Sequence, residues 1–231
     1  MENVSNLEEF TRLNTRKASI LQVGGFRPTN NLSASNFGRN SLALPGEAWP
    51  AWNGKPMLFV CQLNLTAAPV VPALLEDLKL ITFFVAPKAG PLQKESGKDW
   101  CLRAYKSLLD VVPLSPPAGA PRVDRSFECR WEESADYPTY DDPGIQLPEG
   151  FEASDVDLEN VRRTKIGGYA SHIQSELWWD QRPHPAKPRF CWQIDSEKKA
   201  GLAWGDSGMV YLARGTAPGC TDRWFLDWQC Y

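Results

Sequence analysis

Lys55-Pro56-Met57-Leu58-Phe59-Val60-Cys61-Gln62-Leu63-Asn64 and Lys187-Pro188-Arg189-Phe190-Cys191-Trp192-Gln193-Ile194-Asp195 share one grammar. In each, a Lys-Pro pair leads an apolar run into Gln, an aliphatic residue, and Asn or Asp. Each is preceded by a Gly-Gly-aromatic string, Gly24-Gly25-Phe26 or Ile166-Gly167-Gly168-Tyr169, and followed by a second apolar run, Leu80–Val85 or Met209–Leu212. Two copies are too few for a solenoid, and a unit used twice is normally a packing solution and not a catalytic one. The expected fold class is therefore α+β: a β-rich, internally duplicated single domain over residues 1–231, with two pseudo-equivalent halves and few helices. Pseudo-repeat 1 is expected over about 18–113 and pseudo-repeat 2 over about 122–231, with the proline-rich stretch 114–121 as the seam.

Outward from those runs, the remaining elements are sparse. Ser5-Asn6-Leu7-Glu8 has the form of a capping box, and Leu7, Phe10 and Leu13 follow at helical spacing, which predicts a helix over about 6–16. Residues 20–23, 57–63, 80–85, 101–112, 126–131, 190–194, 209–213 and 223–230 read as strands by length and by β-branched or aromatic content. One or two helical turns are expected over 72–78 and a helix over 155–163. In the last strand, Trp224, Leu226, Trp228 and Cys230 alternate with Phe225, Asp227 and Gln229, the period of a strand buried on one face.

With 42% hydrophobic and 23% charged residues, the chain can bury a sizeable core and is not a disordered polymer. No apolar stretch reaches the roughly 18 residues of a membrane helix, and the acidic, polar segment 1–17 lacks the basic start and apolar core of a signal peptide. A cytoplasmic location is expected. The six cysteines, at 61, 101, 129, 191, 220 and 230, show no Cys-x-x-Cys pair, so reduced thiols are expected. With only His172 and His184 as histidines, no metal-ligand spacing appears, and neither a metal nor a cofactor is expected.

Charge is unevenly placed. Between Asp124 and Asn160 stand twelve acidic residues against two basic ones, Arg125 and Arg130, in a chain whose net charge is -3. Such a field repels nucleic acid and draws a basic partner; the alternative is a solvated loop carrying its ordinary charges. Glu132, Glu133, Asp136, Asp141 and Asp142 are the candidate field, with Tyr137 and Tyr140 as apolar anchors beside it. Trp178 and Trp179, next to Asp180, have the composition of an interface hot spot, or equally of core tryptophans beneath a loop.

Catalytic motifs are weak. Gly205-Asp206-Ser207-Gly208 is the string around a serine-protease nucleophile, but His172 and His184 lie too close before it for the two-barrel scaffold, so a turn feeding a strand is the better reading. His172 and Glu176 stand four apart with no further candidate ligand or base at a fixed spacing in the sequence, and Gly24-Gly25 and Gly167-Gly168 lack nucleotide-binding spacing. Gln62 and Gln193 are expected to cross-link the two halves by hydrogen bonds, a structural role favoured over a paired ligand site. No catalytic residue is assigned.

Leu44-Pro45 with Trp49-Pro50, Pro56-Met57-Leu58-Phe59, Gln62-Leu63-Asn64-Leu65, Phe83-Phe84, Lys165-Ile166-Gly167-Gly168-Tyr169, Gln193-Ile194-Asp195-Ser196, Trp204-Gly205-Asp206-Ser207-Gly208 and Asp227-Trp228-Gln229-Cys230-Tyr231 together resemble the YwqG-like family of bacterial proteins, over roughly 21–231. The resemblance implies a duplicated α+β fold without established catalytic residues. It also implies a setting beside secreted polymorphic toxins, as candidate immunity proteins. The expected function is thus a cytoplasmic immunity protein that occludes the active site of a cognate toxin, with a basic type VI secretion nuclease as the model partner and no direct contact to nucleic acid or membrane. The alternative is an enzyme or small-molecule binder with a pocket between the halves, where Gln62, Gln193 and Asp195 would converge.

Overall fold

Short β-branched and aromatic runs separated by glycine and proline cannot sustain helices, and they pair instead into one long antiparallel sheet. The computed structural model describes residues 2–87, 92, 94–139, 142–149 and 159–231. After helix α1 (Glu2–Asn14) come strands β1 (Arg16–Val23), β2 (Asn36–Phe37), β3 (Ser41–Ala43), β4 (Ala51–Trp52), β5 (Lys55–Pro56), β6 (Leu58–Asn64), β7 (Leu80–Val85), β8 (Trp100–Tyr105) and β9 (Val112–Leu114). Strands β10 (Phe127–Asp136) and β11 (Lys165–Gly167), the single helical turn α2 (Trp178–Gln181), and strands β12 (Pro188–Asp195), β13 (Met209–Gly215) and β14 (Trp224–Gln229) follow. Among the described residues, no helix is long and apolar enough to cross a membrane.

Ten strands share the sheet, in the order β14-β13-β12-β11-β1-β10-β2-β6-β7-β8. Each end is a three-strand meander followed inward by a short strand, and β1 and β10 pair at the centre. The chain's first-half strand β1 lies beside β11, while β10 from the second half lies beside β2. The two halves therefore interlock by exchanging their central strands. A register shift interrupts β6 between Phe59 and Cys61 and β12 between Phe190 and Trp192. Asn36 stands opposite Gln62, and Lys165 opposite Gln193. By that geometry Gly167 corresponds to Gly38, both at positive φ (73° and 60°). Gly24-Gly25 instead follows β1, so the matching Gly-Gly-aromatic strings in the sequence mark different places in the sheet.

The two arms of the sheet curl toward each other and share one core. Phe83 of β7 meets Trp192 of β12 edge-on, with ring centroids 5.9 Å apart, and also packs on Trp100 and Trp204. The far ends come together as well: the Leu226 N–H donates to the Lys94 carbonyl at 2.8 Å, and Glu95 bridges Phe225, leaving the sheet nearly closed.

Several local expectations are corrected. Helix α1 begins at Glu2, before the expected start, so that Ser5 lies inside the helix. The C-terminal end is anchored by the buried Asn14, whose side chain donates to the Phe10 and Gln146 carbonyls and accepts from the Gln146 N–H. Strand β10 runs five residues beyond the expected Trp131, so the acidic stretch begins within a strand. Of the helix expected over 155–163, residues 155–158 lie outside the described residues, and 159–163 are not helical. Strand β14 is buried on both faces from Trp224 to Leu226, because Leu177 and Trp179 cover Phe225 from outside. All six cysteines are free thiols.

Candidate functional site

Among the described residues, Glu128, Glu132, Glu133 and Asp136 of the acidic stretch are matched by cations from elsewhere. On β10, Glu133 is exposed and pairs with Lys17 at 2.7 Å, and Glu132 lies 3.9 Å from Arg163. Both basic residues arrive through the register that sets β1 and β11 alongside. The buried Glu128 accepts from Arg39, from the Thr29 N–H and from the Thr29 hydroxyl. Asp136 is withdrawn from the field assigned to it, being fully buried. Its Oδ2 accepts from the Lys165 ammonium at 2.7 Å and from the Tyr169 N–H, and its Oδ1 from the Val161 N–H. Burial pushes the Lys165 ammonium down to about 8, with the Asp136 charge opposing that fall.

The tryptophan pair turns inward. Trp179 is buried in the cluster formed with Leu177, Tyr211 and Phe225. Trp178 is half-buried; its N–H donates to the Asp227 carboxylate and its indole N–H to the Leu226 carbonyl, and its ring meets Phe225 edge-on. These indoles close the outer face of β14, while the Lys94 ammonium lies 4.6 Å above Trp178. Tyr137 is also half-buried, its carbonyl held by the Asn160 side chain. Tyr140 and Asp141 lie outside the described residues.

Two of the singled-out residues do converge. Asp142 and Asp180 line an open groove of about 300 Å³ together with Arg16, Tyr169, His172 and Arg189. Its floor is set by the turn after β11. A Cβ on Gly168 would lie 2.1 Å from Asp136 Oδ2, so only glycine lets the backbone wrap round the buried carboxylate and present Tyr169 to the groove. The Arg16 guanidinium stacks 3.9 Å above the Tyr169 ring. His172 Nδ1 is 2.8 Å from the Thr139 hydroxyl. Burial, then the charges of Asp142 and Glu176, raise the Asp180 carboxyl to about 6, against the pull of Arg189. A wider hollow of about 680 Å³ shares Arg16, Gly168, Arg189 and Phe190 and adds Val70, Pro72 and Leu74, so charged and apolar surface run together in one trough.

Arg16, Tyr169 and Arg189 were not legible as site residues. They come from the starts of two long strands and from one turn, far apart in sequence, and only the Gly168-Tyr169 pair carried a local signal.

The other sequence candidates serve the scaffold. Gln62 accepts from the Leu42 N–H and donates to the Leu32 and Ala34 carbonyls; Gln193 accepts from the Ser171 N–H and donates to the Arg163 carbonyl and the Ser171 hydroxyl. Each glutamine ties down the loop of its own arm and does not cross-link the halves. Asp195 is half-buried, and its Oδ1 accepts from the neighbouring Ser196 N–H. Ser207 occupies a left-handed turn (φ 48°) that leads into β13, and its carbonyl accepts from Arg162. Among the described residues, no three His, Cys, Asp or Glu side chains gather in a way that could hold a metal ion.

No curated protein matches the chain. Residues 35–230 match the family described as a domain of unknown function (DUF1963), and the chain therefore belongs to that family.

Proposed function

We propose that this protein binds a basic protein partner and neutralises it, as an immunity protein does its toxin, with the trough on the second arm as the contact. One observation carries the reading: Asp142 and Asp180 line the same open groove, where burial and then the Asp142 and Glu176 charges disfavour the Asp180 carboxylate despite Arg189, so that a Lys or Arg side chain from outside would be met by both carboxylates. The apolar strip at Phe190 and Leu74 beside it supplies the surface that a protein, more than a lone ion, would cover.

The biological setting rests on the resemblance to YwqG-like proteins: a cytoplasmic inhibitor, built by internal duplication, of a secreted toxin such as a type VI nuclease, acting by occlusion and without catalysis of its own. The matching strand order and the paired register shifts of the two arms support the duplication. The rival pocket between the halves is disfavoured because Phe83, Trp100, Trp192 and Trp204 fill that space.

The test is co-expression with the product of an adjacent toxin-domain gene. Growth rescue and a stoichiometric complex, both lost in Asp142→Lys/Asp180→Lys, are expected. Rescue that survives this double reversal would remove the trough from the contact, and failure of the parent protein to rescue or co-purify would remove the immunity reading.

A further inference from the structure

The first arm holds a cleft at the place corresponding to the trough, bounded by Gly38 and Phe59 where the second arm has Gly167 and Phe190, but with a different chemistry. Its volume is about 240 Å³. One wall is apolar: Phe59 and Leu114 belong to a cluster with the half-buried Trp49, whose ring meets Phe84 edge-on at 5.2 Å. The polar part of the lining is Arg39, Asn40, Ser41, Ser115 and Arg122, with no carboxylate among the lining residues.

Each wall is fixed. Asn36 Oδ1 accepts from the Arg39 and Asn40 N–H groups, and Gln62 Oε1 from that of Leu42, which holds the loop after β2. Ser41 pairs with Leu114 across β3 and β9. The Trp49 indole N–H donates to the Met57 carbonyl at 2.9 Å. Gly38 lets the chain approach Val123 so closely that a Cβ would lie 2.0 Å from it, which holds the neighbouring Arg122 at the cleft.

The polar side chains of the lining differ in what they leave free. Ser41 is 5% exposed, yet its hydroxyl has no hydrogen-bond partner among the described residues. That hydroxyl is closed off from solvent, and so from the cleft, and offers a ligand no direct contact. Arg122 is exposed and has no ion-pair partner among the described residues, whereas Arg39 is already engaged by Glu128 and the Thr29 carbonyl.

From the aromatic wall, the carboxylate-free cationic lining and the unpaired Arg122 guanidinium, we infer that this cleft is a binding site for a small anionic amphiphile, a carboxylate bearing a short apolar body. The headgroup is met by Arg122 and the body by Trp49, Phe59 and Leu114. This goes beyond the toxin-binding reading and stands independently of it, since Asp142 and Asp180 lie on the other arm.

The experiment is isothermal titration calorimetry of the full chain with sodium octanoate, with octylammonium as the cationic control of equal length. One-site octanoate binding is expected, with octylammonium at least tenfold weaker. Arg122→Glu, on an exposed side chain that leaves folding intact, is expected to weaken octanoate at least tenfold. Absence of octanoate binding, equal affinity for the two amphiphiles, or unchanged affinity in Arg122→Glu would each overturn the site.

Discussion

The Lys165 ammonium stands 2.7 Å from Asp136 Oδ2, and neither side chain reaches solvent. A buried pair of this kind is costly to break from one side because the survivor keeps its charge without compensation. Lys165→Met or Asp136→Ala is expected to lose about 3–5 kcal/mol, with Asp136→Ala also freeing the Tyr169 and Val161 N–H groups. The double variant Lys165→Met/Asp136→Ala should lose clearly less than the two single losses together. Urea denaturation across the mutant cycle reads this directly, and strict additivity would contradict it.

Gly168 and Gly46 both have positive φ, 64° and 87°, but differ in their surroundings. At Gly46 a Cβ meets nothing within 4 Å, so Gly46→Ala carries only the backbone strain of about 1–2 kcal/mol. Gly168→Ala adds a collision with a carboxylate that cannot move without abandoning Lys165. Thermal melts should place Gly168→Ala well below Gly46→Ala, with a gap of several degrees.

Phe83 joins the two arms through Trp192, Trp100 and Trp204. Its truncation leaves a void bounded by rings from both halves, so Phe83→Ala is expected to cost about 3–5 kcal/mol. The loss should appear as one cooperative transition at lower denaturant, since both arms draw on the same core. Two resolved transitions would mean that the arms unfold separately.

Burial, then the neighbouring Asp142 and Glu176 charges, raise the Asp180 carboxyl to about 6 in the fold, from its ordinary 3.8 in the unfolded chain. Between those values the folded chain holds a proton that the unfolded chain has released, so stability falls as pH rises through the window, and the penalty is complete above it. Asp180→Asn removes that penalty. Because the side chain is partly exposed, the gain is discounted to under about 1 kcal/mol, or on the order of 2 °C in Tm at pH 7. No gain is expected at about pH 2.5, where both states are protonated. Equal Tm differences at both pH values would contradict this.

What could be read from the chain was what local pattern encodes. Residues 80–85 form a strand with the expected ends, because a continuous β-branched and aromatic run has one outcome at that length. Phe225 illustrates the opposite case: alternation placed it on an open face, but the loop at Leu177 and Trp179, nearly fifty residues earlier in the chain, returns to cover it. Glu132 and Glu133 looked like an unopposed field because Arg163 and Lys17 reach them only through strand register. Asp142 and Asp180 were legible as charges, yet their meeting depends on where the turn after β11 lands, and no spacing in the sequence encodes that.

The strand at the centre of the sheet has a kinetic consequence. Arg16–Val23 is made first, but its partners Phe127–Asp136 and Lys165–Gly167 emerge from the ribosome only after half the chain or more. Closing loops of that length is slow, and meanwhile an apolar segment waits with its backbone groups unpaired. Newly made protein should therefore depend on chaperone shielding of its N-terminal strand during synthesis, well before either cleft exists.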